Sequence, residues 1–181
     1  MIKKIYIFIV LFFIGLSTQA NAYECYFDKL KPGATKKDLE KINIFAYGPS
    51  SESVLFTRII QAQDICKNSY KDEEEFRKIM GLNIYLIFIK EKLVKVNYIN
   101  GLNESATLFD ILVNDYKINI QRNKEQVKKK QSEFYNATLN NNSYFYVLLK
   151  NKETQQEYLE IISDRDSEKL NENLLKMEET Q

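Results

Sequence analysis

The sequence predicts an α+β fold in which an antiparallel sheet, built from two hairpins, is packed by short helices. Three observations predict it. Residues 84–99 and 144–162 each hold two runs of branched and aromatic residues separated by a polar turn. Between and around them lie short segments with apolar residues at helical spacing. The regular β-α-β alternation that would demand a parallel sheet is missing. The order of elements also admits two similar helix-plus-hairpin halves, residues 23–101 and 102–181.

Residues 1–22 read as a secretory signal peptide. Lys3 and Lys4 precede an uncharged apolar run over 5–16, and Ala20-Asn21-Ala22 supplies a small-residue cleavage site. As a helix that run rises only about 18 Å, against a hydrocarbon core of roughly 30 Å, which argues against a membrane anchor. Residues 23–181 then form a single domain without an integral membrane anchor after cleavage, placed in the periplasm or outside the cell.

Thr35, three residues before Asp38, opens a short amphipathic helix carrying Leu39 and Ile42, and Tyr47-Gly48-Pro49 stops it. Residues 54–66 admit two readings. Leu55, Ile59, Ala62 and Cys66 have helical spacing, whereas 54–60 have strand composition; a strand passing into a turn or short helix is the preferred form. Residues 72–80 read as a helix, with Glu73, Glu74 and Glu75 in the first turn and Gly81 past the end. The run 84–89 is apolar on both faces and reads as a central strand covered on both sides. Lys90-Glu91-Lys92 turns it into an alternating partner over 93–98. Residues 105–116 read as a helix behind a Ser105 cap, and 121–134, with Lys128-Lys129-Lys130, as a solvated helix or loop. The second hairpin pairs 144–149 with 158–162, and a last helix runs from Ser167 to about Glu178.

Composition excludes much chemistry. The chain has 181 residues, no His, two Cys and a net charge of +1. Imidazole is the usual general base and nucleophile activator near neutral pH, so Ser-His-Asp and Cys-His arrangements are out. Two Cys without His cannot fill a zinc shell. No catalytic residue, metal or cofactor is expected, and the near-neutral charge gives no pull toward nucleic acid. Cys25 and Cys66, in an exported chain, are expected to form a disulfide. Twelve Tyr and eleven Phe suit a sheet core and interface anchors alike. Tyr85, Tyr98, Tyr144 and Tyr146 are the residues expected on a partner surface.

The stretch 30–42, with Pro32-Gly33 before Thr35, followed by Tyr47-Gly48-Pro49, resembles the opening of the small periplasmic SmpA/OmlA-like domains. Strand 84–90 and its partner 93–96 look like that family's aromatic strand and return strand. Beta-lactamase-inhibitor-like proteins use a related helix-pair-plus-sheet unit twice, and residues 108–162 look like such a second copy. The resemblance favours partner-binding, and the expected function is that of an exported periplasmic binding or adaptor protein that holds another protein of the cell envelope through a sheet face or edge. An enzyme is not expected, because without His only carboxylate, Lys, Ser or Tyr chemistry is left. The alternative that the resemblance implies is an exported inhibitor or immunity protein that blocks a hydrolase active site.

Overall fold

The computed structural model describes residues 24–44, 55–67, 78–101, 106–151 and 154–178. The signal-peptide segment, the Ser105 cap and most of the helix expected over 72–80 lie outside the described residues.

Strand β1 (Glu24–Cys25) and a 3-10 turn (Phe27–Lys29) lead to helix α1 (Lys36–Glu40). Thr35 and Asp38 form the expected capping box: each side chain accepts from the other's backbone N–H. The Thr35 hydroxyl, the Thr35 backbone N–H and the Lys41 ammonium all donate to the Asp38 carboxyl and hold it down at about 2. Strand β2 (Leu55–Gln61) passes into a 3-10 turn (Ala62–Ile65) and β3 (Cys66–Lys67). The strand-then-turn reading of 54–66 therefore holds. Then come β4 (Asn83–Ile89), β5 (Lys92–Asn100), α2 (Thr107–Asn114), α3 (Lys124–Lys128), β6 (Glu133–Leu139), β7 (Asn142–Lys150), β8 (Gln155–Ser163) and α4 (Ser167–Glu178).

Six strands form one antiparallel sheet in the order β2-β4-β5-β8-β7-β6. Both expected hairpins are present, β4 with β5 and β7 with β8, and β5 pairs with β8 at the centre. Each hairpin is extended outward by one strand, β2 beside β4 and β6 beside β7. β6 corrects the reading of 121–134. That stretch holds α3, capped by the Asn123 side chain, but Glu133 and Phe134 already belong to a strand.

Helices α1 and α2 and the 3-10 turns pack on one face. Ile84, Leu86, Phe88, Val96, Tyr98, Tyr144, Tyr146, Leu159 and Ile161 point from the sheet into that layer and join Leu39 of α1 and Leu108, Phe109, Ile111 and Leu112 of α2. Phe88 is fully buried, as its place in the central hairpin requires. β4 is not covered on both sides, however. Its alternate residues Tyr85, Ile87 and Ile89 are only half-buried, because the core side chains of α1 and α2 meet the opposite side of the strand.

Cys25 and Cys66 are paired partners across β1 and β3 and form a disulfide, with their Cα atoms 4.1 Å apart. It ties the first described strand to β3, just past the turn that follows β2.

Candidate functional site

Strand register fixes which side chains share the uncovered face, because residues directly opposite in a ladder point the same way. One row across all six strands runs Ile59, Tyr85, Asn97, Glu160, Phe145, Asn136. A parallel row runs Gln61, Asn83, Ile99, Tyr158, Val147, Phe134. Four of the six exposed large hydrophobic residues among those described lie here, Ile59 at 55%, Phe134 at 64%, Phe145 at 43% and Leu149 at 42%, while Met80 and Val127 lie outside the sheet. These four belong to one face of one sheet, so they form a surface rather than scattered exceptions. Its central charges cancel, since Lys95 Nζ lies 2.8 Å from Glu160 Oε2. The result is a broad, electrically neutral face of aromatic and branched residues among Asn, Gln, Ser and Thr.

The four tyrosines expected on a partner surface divide by parity. Tyr85 lies on the open face. Tyr98, Tyr144 and Tyr146 point the other way and are buried, at 0%, 4% and 1% exposure, so they are core residues. Their hydroxyls are used internally. Tyr98 donates to Tyr116 at 2.6 Å, Tyr116 donates to the Leu30 carbonyl at 2.7 Å, and Tyr146 donates to Glu157 at 2.8 Å. Burial pushes the Tyr98, Tyr116 and Tyr146 hydroxyls well above the ordinary tyrosine range. The open-face residues Ile59, Phe134, Phe145 and Leu149 were not singled out from sequence. The signal that would have found them is alternation, once the buried parity of each strand is known.

Two buried carboxylates stabilise the covered side. Glu157 of β8 accepts from the Leu108 backbone N–H at 3.2 Å and from Asn100 Nδ2 at 3.3 Å. Ala106, ahead of α2, has no capping side chain, so β8 supplies the cap that the helix's own sequence lacks. Burial raises the Glu157 pKa, and the hydrogen bonds from Tyr146, Leu108, Phe109 and Asn100 only partly oppose this. Glu133 behaves in the opposite sense. Burial would raise it, but hydrogen bonds and charge from Arg122 and Lys150 outweigh that and lower its pKa.

A cleft of about 410 Å³ opens beside the disulfide, lined by Phe27, Lys78, Asp110, Asn114 and Asp115 among others. Partial burial, with a smaller contribution from Asp28, pushes the Asp115 carboxyl up to about 6. A second cleft of about 460 Å³ carries Lys29, Lys31, Asp38 and Lys41, two of whose lysines are paired to Asp28 and Asp38. Among the described residues no group of three His, Cys, Asp or Glu comes together as a metal site. No helix among them is long and apolar enough to cross a membrane.

Comparison with family models, with curated proteins and with solved structures found no match.

Proposed function

We propose that the chain is an exported binding or adaptor protein of the cell envelope, and that it holds its protein partner on the open face of the six-stranded sheet. The observation that carries the reading is the exposure of Ile59, Phe145 and Phe134, with the half-buried Tyr85 in the row between the first two, on one neutral face while the opposite face carries the core. Water-exposed apolar area of this kind is unfavourable unless something covers it, by about 25 cal/mol per Å². Aromatic anchors set among small polar groups are the composition of protein interfaces. The charged start and apolar run over 1–22 and the Cys25–Cys66 disulfide support the exported setting.

The test is affinity capture from envelope extracts with the natural protein and with an Ile59→Asp, Phe145→Ala double variant. Both sites are exposed, so the variant is expected to melt where the natural protein does. Interface anchors cost on the order of 1–2 kcal/mol or more each when truncated, so the specific partner should fall by at least about tenfold. An unchanged set of captured proteins would contradict the reading. If the captured partner is a hydrolase that loses activity on binding, the inhibitor class applies.

A further inference from the structure

The sheet ends at β6, and beyond its first residue, the inward-pointing Glu133, this edge carries none of the usual guards among the described residues. Exposed edges are ordinarily blunted by Pro, by Lys within the strand or by a bulge. β6 reads Glu-Phe-Tyr-Asn-Ala-Thr-Leu, with neither Pro nor Lys, and pairs with β7 in unbroken register from Glu133 to Leu139. Among the described residues no backbone group outside β7 bonds to it. One row of N–H and C=O groups is therefore presented outward along seven residues. Phe134, the most exposed large apolar side chain of the sheet, stands near its start.

Immediately before β6 lies a basic cluster. Lys124, Lys128, Lys129 and Lys130 are all exposed. Glu125 is the acidic residue among them and approaches Lys129 only at 3.9 Å, both groups in water. Arg122 and Lys150 are occupied by the buried Glu133. A strand added antiparallel to β6 would bring its C-terminal end to the N-terminal end of β6, beside these lysines.

We propose that the β6 edge receives an extended segment of a protein partner by antiparallel strand addition, and that this segment carries acidic residues immediately after the paired stretch. Main-chain hydrogen bonds would supply the pairing, Phe134 an apolar contact on the open side, and the lysines the orientation. The proposal rests on reading the chain as a protein-binding module, but it uses the edge and not the centre of the face.

The probe is a fluorescent synthetic strand, Thr-Val-Thr-Phe-Thr-Val followed by Asp-Glu-Asp, titrated by anisotropy against the whole purified protein. An isomer with Asp-Glu-Asp at the N-terminus and a third peptide N-methylated along one edge serve as comparisons. The C-terminally acidic strand should bind at least about tenfold more tightly than its isomer, and the advantage should shrink in high salt. N-methylation of the β6-facing edge should abolish binding. The triple variant Lys128→Glu, Lys129→Glu, Lys130→Glu, at exposed positions that leave the fold intact, should reverse the preference toward a C-terminally basic strand. Ile59→Asp, on the opposite edge strand β2, should leave peptide binding unchanged. Equal affinity for both isomers, or indifference to N-methylation, would overturn the proposal. So would a protein that dimerises through β6 in the absence of peptide. Loss of binding with Ile59→Asp would place the peptide on the face, which removes the edge proposal and keeps the binding-module reading.

Discussion

Glu157 shows how one buried residue couples folding to pH. Its carboxylate caps α2 from a neighbouring strand, a role in which negative charge is favourable, yet no cation lies among the groups that bond to it. Burial dominates, so its folded pKa lies above the ordinary 4.5. A raised folded pKa gives a contribution to stability that is complete below about pH 4.5 and is lost as pH rises through the folded value. Glu133 has the reverse sign: its lowered pKa adds stability above that range and removes it in acid. Glu157→Gln keeps an acceptor for the Leu108 N–H and removes only the titration. Denaturant midpoints measured from acid to neutral pH should show the natural protein losing ground to the variant as pH rises. A constant difference between the two, or one that grows in the natural protein's favour, would contradict the placement of a buried carboxylate there.

At the scale of elements, the β1–β3 ribbon is held by the disulfide, whose cysteines are 41 positions apart. On the chain-entropy account a loop of that length stabilises by about 4 kcal/mol at most, since native strain subtracts from it. Thiol titration of the denatured, unreduced protein should find no free thiol, and reduction should lower the denaturant midpoint of the intact chain. Two free thiols would show that the pair is not formed. The elements legible in the sequence were those whose signals are local. The Thr35/Asp38 box, the turn at Lys90-Glu91 and the last helix from Ser167 each depend on neighbouring residues. β6 was obscured because its open-side residues Asn136 and Thr138 are polar and the lysine run precedes it. Asn140 and Asn141, both in the left-handed region at φ 53° and 59°, mark the tight turn into β7 and were the signal that would have revealed the strand. The helix cap by Glu157 was not legible at all, because it joins residues 49 positions apart.

For the whole molecule, the decisive feature is asymmetry between the two sides of one sheet. The sequence shows that 84–89 is apolar throughout, but it does not show which side α1 and α2 cover. That depends on where those helices pack, a non-local outcome. The same asymmetry explains why Tyr98, Tyr144 and Tyr146 are core while Tyr85 remains available: an aromatic residue's type does not reveal its parity, and register does. It also makes the central claim directly measurable. A photo-reactive phenylalanine analogue placed at Tyr85 or Phe145 reports on the open face, and at the exposed Asp110 or Asn114 of α2 on the helical side. After irradiation in intact cells, the account predicts that Tyr85 and Phe145 positions both yield an adduct with one and the same protein, and that Asp110 and Asn114 yield none with it. Adducts from the helical positions with none from the open face, or no adduct from a folded, exported protein at either face position, would contradict it.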